Sequence, residues 1–225
     1  NISIPMIDVD LSDDQIIVMQ FVPQLDPCNR NFKHANMQIP LRMLYKMLFE
    51  DGFVHADMHP GNVAFDGHTT YLTDFGYTVT LDAEERSDFR DLFIAMASGD
   101  KHLCAEIILK YSNSLDTAID LAAFVGQVAK GLRQFTGTSA AEFEAAAFAR
   151  MIFGVQRRFG LKGSNAFMSA IIAIITFEGV LKEHDPKLDF QLEAMRFIAE
   201  HKGEHMPRNE RISVYESLRR DLDVA

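Results

Sequence analysis

The chain has 225 residues, 48% hydrophobic and 24% charged, which excludes a mostly disordered or fibrous polymer and allows a large domain with its own core. Its 22 Lys and Arg against 32 Asp and Glu leave a net charge of −10. That balance argues against a nucleic-acid partner, whose phosphates call for a basic surplus, and against electrostatic docking on an anionic membrane.

The first residues, with Asn at position 1, read like the inside of a fold and predict a fragment or a processed product. The run over 15–22 is β-branched and apolar between Asp13-Asp14 and Pro23, which predicts a buried strand. Residues 36–51 read as a helix: Leu41, Leu44, Tyr45 and Leu48 form one apolar stripe, and Gly52 closes it. Two short strands follow at 62–65 and 70–73, joined by Asp66-Gly67-His68, a hairpin signal. From Asp82 onward everything reads as helix. Asp82 with Glu85 makes a capping box for a helix reaching about Ser98, and Gly99-Asp100 ends it and caps the next, to about Tyr111. A third helix covers about 115–135, a break falls at Gly137-Thr138-Ser139, and an Ala-rich helix covers 140–159. Gly160 and Gly163 punctuate the chain before an apolar helix at 165–183, stopped near Asp185-Pro186.

The uncharged part of that helix, 163–177, falls short of the roughly 20 residues that cross a bilayer, so it reads as a core helix. Residues 189–201 are amphipathic through Phe190, Leu192, Met195, Phe197 and Ile198, and Pro207 opens a last charged helix to Leu222. A strand-and-loop head before a helical body predicts an α+β fold, predominantly α-helical. Cys28 and Cys104 stand too far apart for a disulfide framework or a zinc site, and read as buried small hydrophobes in a reducing compartment.

The chemistry concentrates in residues 52–76. His55-x-Asp57-x-x-x-x-Asn62, followed by Asp74-Phe75-Gly76, has the order and spacing of a phosphoryl-transfer site of the protein-kinase-like kind. Asp57, on a loop that follows a helix, can accept or orient a hydroxyl proton. Asn62 at the start of one strand and Asp74 at the end of its partner offer hard oxygens to Mg²⁺, which bridges nucleotide phosphates and neutralises developing charge. Pro60-Gly61 turns the loop between Asp57 and Asn62. His55 reads as a packing and hydrogen-bonding residue. His59 either hydrogen-bonds within the loop or faces the substrate. His102, His184, His201 and His205 sit among charged residues and read as solvated.

The unbroken stretch His55-Ala56-Asp57-Met58-His59-Pro60-Gly61-Asn62 resembles the catalytic loop of the UbiB/AarF (ADCK-type) atypical kinase family. Aminoglycoside and choline kinases are similar, but Ala56 and Gly76 favour UbiB. The stretches 1–5 and 17–22 resemble the family's strand pair leading into the hinge, and 177–186 resembles a late Glu-Gly-Val-Leu…Asp-Pro segment, so the resemblance runs to about residue 200. It implies a protein-kinase-like C-lobe with a short hinge strand and a catalytic hairpin at its N-terminal end. Residues 1–25 would be the end of the upper lobe and the hinge, 26–81 the catalytic loop and Asp-Phe-Gly region, and 82–225 the helical body, with the rest of the upper lobe absent.

The resemblance further implies that Asp57 is catalytic, that Asn62 and Asp74 are metal ligands, and that Gln20, Phe21 and Val22 form the adenine hinge with Met19 at the gatekeeper position. His55, His59, Phe75 and Gly76 would be structural support. Gln20 stands where the family usually has Glu, and Pro23-Gln24 follows where it usually has Gly. The implied function is an ATP- and Mg²⁺-dependent kinase or ATPase linked to isoprenoid-quinone or lipid metabolism, with a lipid or small-molecule acceptor. Membrane contact would come only through segments outside this chain, and the missing lobe would be supplied in cis or by a partner chain. The implied location is the bacterial cytoplasm or inner-membrane face, a mitochondrion or a plastid. A non-catalytic pseudokinase or scaffold and an aminoglycoside- or choline-kinase-type phosphotransferase remain the alternatives.

Overall fold

The computed structural model describes residues 2–23, 37–65, 69–114, 119–135 and 144–201, with short strands gathered at the N-terminal end and helices filling the rest. The fold is α+β and mainly helical. The sequence readings at Asn36, the turn 66–68, residues 115–118, the break 137–139, Cys28, His205 and the helix 207–222 lie outside the described residues.

Helix α1 (Gln38–Lys46) runs into a π-helical turn (Met47–Asp51). Gly52 ends it in the left-handed region, φ 71°, where a Cβ would stand 2.3 Å from the Leu81 carbonyl oxygen, so both conformation and space require glycine. Leu41, Leu44, Tyr45 and Leu48 are fully buried, as the stripe predicts. Tyr45 is the hub of an aromatic cluster: Phe49 stacks on it at 5.6 Å, Phe93 and Phe190 meet it edge-on, and its hydroxyl donates to the Phe190 carbonyl. Burial, with nearby Glu193 adding to it, holds the Tyr45 hydroxyl far above the usual phenol range.

Helices α2 (Ala83–Ser98) and α7 (Phe190–Glu200) complete that cluster. The Asp82–Glu85 capping box forms reciprocally at the start of α2, Gly99 ends it, and Asp100 caps α3 (Lys101–Lys110) through the His102 and Leu103 amides. Asp189 caps α7 through the Leu192 amide. Between them lie α4 (Leu121–Leu132), α5 (Ala145–Arg158) and α6 (Asn165–His184). The N-terminus of α5 takes no cap from its own side chains; instead the buried Glu178 of α6 accepts the Ala145 amide with both oxygens at 2.9 Å and pairs with Lys182 at 3.4 Å.

Several expectations are corrected. The run 15–22 is not a buried strand: only Val18–Met19 (β3) is extended, paired antiparallel with Ile7–Asp8 (β2), and Ile16, Ile17 and Phe21 are 60%, 63% and 74% exposed. Apolar composition called for a covering layer, and none of the described elements lies over this ribbon. Ile2–Ser3 (β1) does not pair with the hinge segment but runs parallel to Thr70–Leu72 (β6), which pairs antiparallel with Val63–Phe65 (β5), giving the sheet order β1-β6-β5. The chain after Asp82 is not all helix, since Ser112–Ser114 (β8) pairs with Leu161–Gly163 (β9). Accordingly α4 starts at Leu121, capped by Asp120, and α5 at Ala145, later than expected. Helix α6 has 20 residues and is long and apolar enough to cross a membrane by length and composition, although 50% of its most apolar window is packed inside the fold.

Candidate active site

Two strand pairs carry the site. Phe53–His55 (β4) pairs antiparallel with Thr78–Thr80 (β7), and backbone bonds extend the ladder from Leu81 N–H to Gly52 O and from Ala56 N–H to Tyr77 O. Neither strand was foreseen: Asp57 follows a strand, not a helix. The β5–β6 hairpin, which was foreseen, registers Val63 with Leu72, and the Thr73 amide donates to the Asn62 carbonyl at 2.9 Å. Each pair thus ends at one half of the motif, with Asp57 after β4, Asn62 before β5 and Asp74 after β6.

His55 joins the two. Its ring is fully buried, Nε2 lies 2.9 Å from the Thr73 carbonyl oxygen, and Nδ1 accepts the Asp57 amide at 3.2 Å. One N–H donor and one acceptor are what a neutral imidazole offers, so both nitrogens are satisfied with the proton on Nε2. Phe75 packs 5.1 Å from this ring and stacks on Phe53. His55 and Phe75 thus pack together where the two strand pairs meet. Met58, fully buried, pins the loop to the core on its other side.

Asn62 is buried, and its Nδ2 donates to the Asp57 carbonyl at 3.1 Å. With the amide nitrogen so engaged, the side-chain oxygen is the atom left for a cation. Asp57 is half-exposed, with His59 Nε2 3.7 Å from its Oδ2. Asp74 is the only non-glycine residue at positive φ, 55°, among the described residues. Such backbone strain gathers at functional sites, and Asp tolerates it better than most residues. Its Oδ1 accepts the Gly76 amide at 3.2 Å. Asn62 and Asp74 offer an all-oxygen pair of donors. It fits Mg²⁺, which takes one or two carboxylates and completes its shell with phosphates and water. Among the described residues no three His, Cys, Asp or Glu side chains cluster as a self-sufficient metal cage.

Met19 ends strand β3 of the β2–β3 ribbon, and Gln20, Phe21 and Val22 follow it. The Gln20 amide donates to the Met6 carbonyl at 2.8 Å, Phe21 is exposed and Val22 is buried. Of the remaining histidines, His102 is exposed as expected, while the exposed His201 stacks on Phe197 at 4.0 Å. Two residues outside the expected site also support it. The Tyr77 hydroxyl pairs with Ser169 Oγ at 2.6 Å, tying the segment after Asp-Phe-Gly to α6. Gly61 lies under the His59 ring. The Pro60-Gly61 turn signalled the second; nothing local signals a contact 92 residues apart.

Residues 1–108 match the model of the ABC1 atypical kinase-like domain. The chain is similar to a probable protein kinase UbiB of Shewanella woodyi, 24% identical over 207 residues, covering 87% of this chain and 38% of that protein. It is also similar to a mitochondrial ABC1 family protein of Saccharomyces cerevisiae, 27% identical over 195 residues, covering 64% of this chain and 30% of that protein. An uncharacterised protein of Synechocystis is 26% identical over 154 residues, covering 62% of this chain and 37% of its own length. The chain therefore spans between 30% and 38% of the length of these relatives.

Proposed function

From its kinship with the UbiB-type atypical kinase-like proteins, we propose that this chain carries the phosphoryl-transfer half-site of an ATP- and Mg²⁺-dependent kinase or ATPase. The observation that carries the reading is the buried His55 strut, which bonds to the Asp57 amide and the Thr73 carbonyl and so holds the Asp57 loop against the strand end that presents Asp74. In this reading Asp57 takes or orients the proton of the attacking hydroxyl or water. Its partial exposure suits a group that must reach a substrate. The Asn62 side-chain oxygen and the Asp74 carboxylate hold the cation, and the amide-to-carbonyl bond from Asn62 to Asp57 keeps ligand and base in register. Bound Mg²⁺ supplies charge neutralisation at the phosphates. Met19 to Val22 offer backbone groups to an adenine edge, the Gln20 amide being already engaged by Met6.

The acceptor is a lipid or a small molecule, in keeping with a link to isoprenoid-quinone metabolism. The mitochondrial and bacterial relatives support a bacterial or organellar location. The test is phosphate release from MgATP by the full-length protein. Asp57→Asn and Asp74→Asn are each expected to lower turnover at least about 100-fold, with thermal melts unchanged because neither side chain is packed in the core. Wild-type-like turnover in both variants would defeat the assignment, and a full-length protein that binds MgATP without turning it over would favour the scaffold reading.

A further inference from the structure

His59 stands beside Asp57 without being a core residue: the two side chains are 47% and 48% exposed. Burial therefore does not account for its placement. Its backbone is bound on both sides, the N–H donating to the Asp57 carbonyl at 2.9 Å and the carbonyl accepting the Asn62 amide at 2.9 Å. The ring is held as well. Nδ1 accepts the Gly61 amide at 2.8 Å, and the imidazole lies over Gly61 so closely that a Cβ there would stand 2.4 Å from its Cε1 and 2.7 Å from its Nδ1. Any larger residue at 61 would push the ring off its seat. Because Nδ1 is occupied as an acceptor, a neutral ring carries its proton on Nε2. Nε2 is the atom that faces Asp57, 3.7 Å from Oδ2, a polar contact slightly longer than a hydrogen bond.

The geometry points to His59 as a positioning residue that, seated on Gly61, directs its Nε2–H at Oδ2 of Asp57 and so leaves Oδ1 as the oxygen that meets the acceptor's proton. This rests on the reading of Asp57 as the proton-accepting group. A carboxylate on a half-exposed loop samples several rotamers. A seated donor 3.7 Å from one oxygen biases them, and misplacement of a reacting group by about 1 Å can cost about 100-fold in rate.

Two conservative replacements separate this role from a loop-capping one. Gln at 59 keeps a donor near the Nε2 position and gives up the Nδ1 acceptor. Asn keeps an acceptor near Nδ1 and cannot reach Asp57. In the full-length protein, His59→Ala and His59→Asn are expected to lower kcat for MgATP turnover about tenfold or more at unchanged KM for ATP, and His59→Gln to recover most of it. Gly61→Ala, which displaces the ring, should reproduce the loss. Long-range ¹H–¹⁵N spectra of the unsubstituted protein should show His59 as the Nε2–H tautomer, a readout independent of turnover. An Nδ1–H tautomer, full activity in His59→Ala, or rescue by Asn equal to that by Gln would overturn the inference. Turnover that is lost in Asp57→Asn but indifferent to every change at 59 overturns this inference alone. Turnover indifferent to Asp57→Asn overturns the underlying reading and this one with it.

Discussion

Helix α1 and the N-terminal ribbon are both apolar, and they end in opposite environments. Leu41, Leu44 and Leu48 are fully buried, whereas Ile16, Ile17 and Phe21 are 60%, 63% and 74% exposed. The difference lies in what each element can lean on. The α1 stripe meets α2 and α7 through the Tyr45, Phe49, Phe93, Phe190 and Phe197 rings. The ribbon consists of two strands of two residues each, bonded to one another and, through Ser12, to their own connecting loop. A two-stranded hairpin is marginal alone in water, and an apolar face becomes a core only against a second layer. The proposed catalytic loop sits between these extremes. It is anchored to the body through Met58 and through the Tyr77–Ser169 bond, and its reactive carboxylates stay accessible.

The strongest way to break this contrast is Phe49→Ala. Phe49 is 1% exposed, stacks on Tyr45 and meets Phe93 edge-on at 5.3 Å. Deleting a fully buried phenyl ring costs about 3–5 kcal/mol, the lost transfer energy plus the cavity left behind. Urea unfolding should show a lower midpoint at unchanged slope. A loss below about 1 kcal/mol would mean that the body is no better packed than the ribbon.

The same contrast separates what could be read in the sequence from what could not. The Asp82–Glu85 box, the glycines at 52 and 99 and the cap at Asp100 were legible because each is settled by chemistry within four residues. The hairpin 63–72 was legible for the same reason. The β4–β7 and β8–β9 pairs were not: each joins three-residue segments far apart in sequence, too short for a period-2 pattern to stand out. The burial of 15–22 was misjudged because apolarity states a need for cover and not its source. At the candidate site the residue types and their spacing were visible in the sequence. The seat of His59 on Gly61 and the link from Tyr77 to α6 depend on coordinates alone.

A smaller effect sharpens the contrast through pH. Cys104 is fully buried on α3, and burial pushes its thiol up to about 12. An unfolded thiol ionises near 8.5, so above that pH the unfolded chain releases a proton that the folded chain keeps. The stability associated with this group is therefore complete below about pH 8.5 and falls as pH rises toward 12, by at most about 1.4 kcal/mol per pH unit. The difference in unfolding free energy between the natural chain and Cys104→Ala isolates this from lysines and tyrosines titrating in the same range. The natural chain's advantage should shrink as pH rises from 8 to 10. Parallel curves would mean that solvent reaches Cys104 and that the body is wetter than its packing indicates.

The smallest expected effect is the one that tests the ribbon. Ile17 is 63% exposed and belongs to no strand ladder. If the described surroundings of the ribbon are its whole environment, Ile17→Ser removes little buried area and leaves no cavity, and the change in unfolding free energy should stay within about 0.5 kcal/mol. The same substitution in a covered ribbon would delete a buried aliphatic side chain and leave a hydroxyl in need of a partner, together worth about 2–4 kcal/mol. The two outcomes differ by more than the error of a denaturant melt, so one measurement decides between them. It should be made on this chain and again on the full-length protein. A small effect in both keeps the ribbon a solvent-facing edge. A small effect in the chain and a large one in the full-length protein would show that exposure of Ile17 belongs to the chain alone. A large effect in the chain itself would refute the contrast, because it would require a packed layer over residues that the structure leaves open.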